Sequence, residues 1–309
     1  ENLNATFEVA AKGTAPFRYQ WKQNGVDLAD GPNVVGARLR TLTIRKAQLS
    51  QAGSYTVAVS NDDGSVTSAA AVLTVIDPPE ITTQPETQVV IQGADVLFTV
   101  AATGTEPLSY QWRFNGQDLV GEATQFLFMP AVTAAKAGRY SALVSNAGGA
   151  VLSAEVTLTV IVPPTITTPP ASQTVVAGRS VTFTVAVSGS APFSYQWFKG
   201  GVAVSGATGA SLTINPAQPS DEGVYTVQVS NLAGEALSPG ATLTVLVPPV
   251  ITTPPQGATV AVGTTVTLSV VATGTPPLSY QWKKNGADLP GKTGATLELA
   301  NVATSDSGD

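Results

Sequence analysis

Hydrophobic and polar residues alternate in short stretches along this chain. Residues 181–185 read Val-Thr-Phe-Thr-Val, and residues 96–100 and 266–270 repeat the pattern. A period of two residues is typical of a strand with one buried face, and no stretch shows the period of an amphipathic helix. Short strands that recur at regular spacing predict an all-β fold of packed sheets.

A Tyr-Gln-Trp motif reveals an internal repeat. It occurs at residues 19–21, 110–112, 195–197 and 280–282. The second, third and fourth tryptophans are 85 residues apart, whereas the first and second are 91 apart. The excess lies between Asp30 and Arg40, where we expect one lengthened loop. The chain therefore consists of tandem copies of one kind of domain.

Pairs of prolines mark the boundaries between these copies. They lie at residues 78–79, 163–164 and 248–249, and they predict domains over residues 1–77, 78–162, 163–247 and 248–309. Because proline fixes φ and lacks a backbone donor, each pair ends the preceding ladder and forms a short, stiff joint. We expect the first domain to lack its opening strand and the fourth to end before its last two strands.

Two further motifs complete the repeat. An Asn-Gly or Gly-Gly turn suited to a tight hairpin follows each Trp, and a Gly-x-Tyr strand follows later, as at residues 53–61 and 223–231. A Trp on the third strand with a Gly-x-Tyr corner resembles the immunoglobulin fold, closest to its I-set branch. The resemblance implies tandem, cysteine-free, immunoglobulin-like β-sandwiches of Greek-key topology, each with two packed antiparallel sheets, as in bacterial surface or secreted proteins.

The resemblance also implies which residues form the core. The positions of the family's inter-sheet disulfide hold valine or alanine in this chain, so apolar packing replaces the bridge. With the repeated aromatic residues, the expected structural core comprises Trp21, Trp112, Trp197, Trp282, Tyr55, Tyr140, Tyr225, Val9, Val57, Val100, Ala142, Val185, Val227 and Val270. We expect Trp282 to be more exposed than Trp112 and Trp197, with Trp21 between them.

The composition argues against several classes of function. The 309 residues are 43% hydrophobic and 12% charged, and a net charge of −6 without a Lys/Arg cluster argues against nucleic acid and anionic membranes as partners. No apolar run has membrane-spanning length, so we expect no direct membrane insertion in this fragment. The chain has no Cys and no His, which removes Cys and His nucleophiles, the usual general base near neutral pH and nearly all zinc ligand sets. We predict no catalytic residue, no cofactor and no metal site.

The sequence offers one weak candidate for a binding residue. Strand alternation that turns Trp197 inward turns Phe198 outward, which predicts an exposed aromatic side chain on the sheet that faces partners in this family. Arg113 and Leu143 are weaker candidates on the equivalent face of the second domain. Most single exposed aromatic residues bind nothing, so the binding residues stay unknown and the partner, a protein or a cell-surface glycan, stays unidentified.

These observations favour a non-enzyme. We predict a non-catalytic extracellular or cell-surface array for structure and cell adhesion, which acts as a spacer, as a weak protein-binding surface, or as both. One alternative is a set of accessory carbohydrate-binding repeats of a secreted bacterial hydrolase, which would need an exposed aromatic platform. Another is an intracellular elastic array of the kind found in muscle.

Overall fold

The computed structural model describes residues 3–309. It divides into two compact units, residues 1–161 and 162–309, and each unit contains two β-sandwiches. The prediction of an all-β chain is confirmed. The only helical segments among the described residues are single 3₁₀ turns at Leu49–Gln51, Ala134–Lys136, Pro219–Asp221 and Thr304–Asp306.

The first sandwich begins with a strand that carries Phe7. Its strands are β1 (Ala5–Glu8), β2 (Arg18–Gln23), β3 (Val26–Asp27), β4 (Val34–Val35), β5 (Thr41–Ile44), β6 (Gly53–Asn61), β7 (Gly64–Thr67) and β8 (Ala71–Leu73). One sheet has the order β1-β5-β4, and the other has the order β3-β2-β6-β7 with β8 also paired to β6. The lengthened loop expected from the sequence forms β4, which covers the outer edge of β5.

The second and third sandwiches share one topology. The second has β9 (Glu80–Thr83), β10 (Gln88–Ile91), β11 (Val96–Thr99), β12 (Ala101–Thr103), β13 (Ser109–Phe114), β14 (Gln117–Asp118), β15 (Phe126–Met129), β16 (Gly138–Asn146), β17 (Gly149–Leu152) and β18 (Val156–Ile161). The third has β19 (Thr165–Thr168), β20 (Gln173–Val176), β21 (Val181–Thr184), β22 (Ala186–Ser188), β23 (Ser194–Lys199), β24 (Val202–Ala203), β25 (Ser211–Ile214), β26 (Gly223–Asn231), β27 (Gly234–Leu237) and β28 (Ala241–Leu246).

The sequence led us to expect purely antiparallel sheets, but each of these two sandwiches also contains one parallel pair of strands. One larger sheet has the order β10-β18-β16-β13-β14 and the other β20-β28-β26-β23-β24, and the pairs β10/β18 and β20/β28 are parallel. The cause lies in the prolines at residues 85, 169 and 170, which interrupt the opening strand because proline cannot continue a ladder. The chain then crosses to the opposite sheet and runs beside the last strand in the same direction.

The fourth sandwich holds six short strands. They are β29 (Val250–Thr253), β30 (Val266–Ser269), β31 (Val271–Thr273), β32 (Lys283–Lys284), β33 (Ala287–Asp288) and β34 (Thr296–Leu299). They form only two-stranded sheets, β29-β31, β30-β34 and β32-β33.

An aromatic trio forms the centre of each of the first three sandwiches. In the second, the ring of Phe98 lies 6.1 Å from Trp112 and 5.1 Å from Tyr140 between centroids. Phe7 and Phe183 take the same place between Trp and Tyr in the other two sandwiches. Such pairs add stability beyond the apolar area that they bury.

Hydrogen bonds fix both polar ends of the trio. The three corner tyrosines, Tyr55, Tyr140 and Tyr225, each donate Oη to the carbonyl four residues earlier, over 2.7, 2.8 and 2.8 Å. Each Trp donates Nε1 to a loop carbonyl at 2.9 Å, that of Leu39, Thr124, Gly209 or Gly294. The aromatic core is therefore buried with its polar atoms paired.

Three residues of the expected core are only half-buried. Trp112 and Trp197 are 0% exposed and Trp21 is 3% exposed, whereas Trp282 is partly exposed. Five of the seven valine and alanine positions that replace the disulfide are buried, but Val9 and Val270 are half-buried. Within residues 3–309, no opening strand covers β1, and no Gly-x-Tyr strand packs across from Val270.

Candidate functional site

Phe198 is half-buried, so the expectation of a freely exposed ring was wrong. It points away from Trp197, as predicted, but lies on β23 between two neighbouring strands. Ala203 of β24 and Thr226 of β26 stand directly opposite it. Cross-strand neighbours on both sides cover much of the ring.

The equivalent position in the other sandwiches carries a cation in a surface ion pair. Arg113 Nε donates to Asp118 Oδ1 at 2.7 Å, across the hairpin of β13 and β14. The first and fourth sandwiches repeat the pair at 3.0 and 3.1 Å with Lys22–Asp27 and Lys283–Asp288. Leu143 is half-buried. Exposed pairs of this kind contribute little stability and leave Arg113 engaged within its own hairpin.

Each Pro-Pro joint is held by the sandwich that follows it. The backbone N–H of Asp77 donates to Thr105 Oγ1 at 2.8 Å, and the N–H of Thr105 donates back to the Asp77 carbonyl at 3.1 Å. The same reciprocal bonds join Val162 to Ser190 and Val247 to Thr275. The residue before each proline pair is thus tied to a loop hydroxyl 28 residues later.

An asparagine and a glycine complete this arrangement, which we call the joint clamp. Asn231 Nδ2, at the end of β26, donates to the carbonyls of Val162 and Ser190 at 2.7 and 2.9 Å. Asn146 makes the matching pair of bonds in the second sandwich. The glycine before each hydroxyl residue lies so close to the prolines that a side chain would touch their backbone, as at Gly104, Gly189 and Gly274.

The second sandwich carries an exposed apolar patch that our reading of the sequence missed. Leu97 on β11 and Phe126 and Phe128 on β15 are 50%, 44% and 56% exposed. They point outward on neighbouring strands, and Leu97 stands directly opposite Phe128. The sequence signal was present, because the equivalent positions of the other three sandwiches hold polar residues. We call these three residues the second-sandwich patch.

The titratable groups form no evident reaction centre in the part of the chain that the structure describes. No group of three or more Cys, His, Asp or Glu residues is placed to hold a metal ion there. Burial raises the pKa of all three corner tyrosines above the ordinary value of 10.0, and the Asp221 carboxylate adds to the effect on Tyr225. These tyrosines belong to the core, and their hydroxyls donate to backbone carbonyls.

Models of known protein families match this chain repeat by repeat. The immunoglobulin domain matches residues 78–146, 163–231 and 248–309, and the immunoglobulin I-set domain matches residues 1–75. The chain belongs to the immunoglobulin domain family. Three of the four matched segments begin at the proline pairs, at residues 78, 163 and 248. The described residues of these immunoglobulin domains include no helix long and apolar enough to cross a bilayer.

Relatives of these immunoglobulin domains are animal proteins, so a bacterial source is not supported. Human Roundabout homolog 3 is 31% identical over 97% of this chain and 24% of its own length. Human Hemicentin-1 is 30% identical over 98% of this chain and 6% of its own length. The chain spans about a quarter or less of these relatives. An I-band fragment of titin, 23% identical, superimposes with a TM-score of 0.66 over 79% of this chain and 93% of the fragment, which shows the shared fold.

Proposed function

We propose that these immunoglobulin domains act as a non-catalytic extracellular adhesion array, which serves as a spacer and as a weak protein-binding surface. The relatives support the location and the class, since Roundabout and Hemicentin are extracellular proteins of adhesion or receptor type. Such a role requires no catalytic site. Affinity in arrays of this kind comes from several weak contacts made together.

The joint clamp is the observation that carries the spacer part of the proposal. In the first unit, Val75 is buried in the first sandwich, and Asp77, two positions later, is already bonded to the second. In the second unit, Leu246 ends β28 and Val247 is bonded to Thr275 of the fourth sandwich. Joints this short suit a protein that holds its domains at set distances.

Cell aggregation tests the adhesive part. The full-length native protein, tagged beside this chain, is expressed on suspension cells that do not aggregate by themselves. We expect the tag to stain without permeabilisation and the cells to aggregate, and we expect a protein without residues 78–247 to aggregate them less. Staining that requires permeabilisation, or aggregation that is unchanged by the deletion, would argue against the proposal.

A further inference from the structure

The second-sandwich patch is specific to one of the four domains. At the positions of Leu97, Phe126 and Phe128, the other sandwiches carry Thr6, Thr41 and Thr43; Thr182, Ser211 and Thr213; and Thr267, Thr296 and Glu298. In the third sandwich the hydroxyls of Thr182 and Thr213 are hydrogen bonded to each other at 2.9 Å. The same backbone therefore folds with a polar outer face, and the apolar one is not required for the core.

The patch lies on a strand with an open edge. β15 pairs only with β11, whereas β4 covers the same edge of β5 in the first sandwich and pairs Val35 with Thr43. The backbone of Phe126 bonds to Thr124 Oγ1 on this edge, with its N–H donating at 3.2 Å and its carbonyl accepting at 2.7 Å. Backbone groups alternate in direction along a strand, so those of Phe128 point toward the same open edge.

β15 itself carries no charged side chain that would guard this edge. Proteins commonly guard an exposed edge strand with lysine, other charges or a covering segment. Residues 123–135, which contain β15, carry no charged side chain, whereas the matching segment of the first sandwich contains Arg38, Arg40, Arg45 and Lys46, and that of the fourth contains Glu298. A partner recognised by opposite charge therefore finds no anchor here, and an uncharged apolar strand fits better.

We propose that this edge binds the same edge of a second copy of the chain. Antiparallel pairing of two β15 strands about a twofold axis at Leu127 sets Phe126 of one copy opposite Phe128 of the other. The backbone groups that face the open edge then bond to one another, after Thr124 Oγ1 releases Phe126. Since opposed residues of an antiparallel pair point to the same face, Leu97, Phe128 and the partner's Phe126 form one continuous apolar row. The surface is self-complementary, as a twofold interface requires.

The area of the patch sets the strength of this contact. A phenylalanine side chain offers about 200 Å² of surface, so the exposed fractions of 44% and 56% together equal about one whole ring. With half of Leu97 added, each copy contributes roughly 300 Å², and two copies contribute roughly 600 Å². Stable complexes bury about 1,200–2,000 Å², so we expect a dissociation constant weaker than about 10 µM. Such a contact acts between arrays that present many copies.

The inference rests on the proposed function and gives the adhesion array a partner. Sedimentation equilibrium of the purified chain, from low micromolar to submillimolar concentration, measures the self-association. We expect the wild-type chain to dimerise and the variant L97T/F126T/F128T to dimerise at least about tenfold more weakly. The variant reproduces the outer face of the first sandwich, Thr6, Thr41 and Thr43, which folds with these residues, and circular dichroism confirms its fold. The single variant F128T repeats the test with a smaller change.

Two further variants distinguish edge pairing from nonspecific hydrophobic association. Val202→Thr changes a side chain that is 73% exposed in the third sandwich and should leave dimerisation unaltered. Thr124→Ala removes the hydroxyl that competes for Phe126 and should tighten the dimer severalfold. A wild-type chain that stays monomeric throughout, a V202T variant as weak as the triple variant, or an unchanged constant for T124A would each overturn the inference. Binding of cellohexaose to the second-sandwich patch of a monomeric chain would also overturn the inference. If the purified chain stays monomeric but cells that display the full-length protein still aggregate, the inference fails while the proposed adhesive function, through another partner, stands.

Discussion

One glycine of the joint clamp gives a sharp prediction about stability. Gly189 has a φ of +130°, and a Cβ added there would lie 2.6 Å from the Pro163 carbonyl oxygen and 3.2 Å from Pro164 Cα. Both contacts are backbone atoms, so the joint itself must shift. A positive φ costs alanine about 1–2 kcal/mol, and overpacking costs about 1–3 kcal/mol more. We expect Gly189→Ala to lower the free energy of unfolding of the third sandwich by about 2–5 kcal/mol.

Gly178 of the same sandwich supplies the matched control. It also has a positive φ, +86°, but no atom lies within 4 Å of an added Cβ. Gly178→Ala should therefore show only the backbone cost of about 1–2 kcal/mol. Each sandwich holds one tryptophan, so ¹⁹F NMR of the fluorotryptophan-labelled chain in a denaturant series follows the four sandwiches separately. Equal losses for the two variants, or a loss that spares the Trp197 signal, would refute the account of the clamp.

Four more predictions concern the cores and the response of stability to pH. Tyr140→Phe removes the hydrogen bond to the Lys136 carbonyl and should destabilise the second sandwich by about 1 kcal/mol in the same NMR assay. Thermal melts should show nearly constant stability between about pH 6 and 8, because the chain has no His or Cys. Above about pH 10 stability should fall, since burial raises the pKa of the corner tyrosines in the folded chain and the unfolded chain loses these protons first. Acrylamide should quench Trp282 faster than Trp197 in single-tryptophan variants, and equal quenching would contradict the burial described above.

The repeated fold was predictable because its signals are local and occur several times. Tyr-Gln-Trp, Gly-x-Tyr and Pro-Pro recur at matched spacing, and each recurrence supports the others. The parallel pairing of β10 with β18 was not predicted, because it depends on where a strand broken at Pro85 lands in the folded sandwich. Residue spacing along the chain does not contain that information.

The candidate surface was harder to predict for a related reason. The alternation of inward and outward side chains along a strand correctly predicted that Phe198 points outward. It could not show that a strand lies on each side of Phe198. Residues 126–129 read Phe-Leu-Phe-Met, a continuous apolar run that periodicity cannot distinguish from a strand buried on both faces. Exposure of Phe126 and Phe128 follows from the missing neighbour of β15, and comparison of the four repeats position by position is the step that would have revealed it.

The adhesive role is tested most directly by the clustering of coated beads. Beads that carry residues 1–309 at high density are mixed with one another and with animal cells, next to beads that carry an unrelated protein of similar net charge. The account predicts that the coated beads cluster or attach to cells and that the soluble chain inhibits this in excess. Coated beads that stay dispersed and unattached at every density would contradict it.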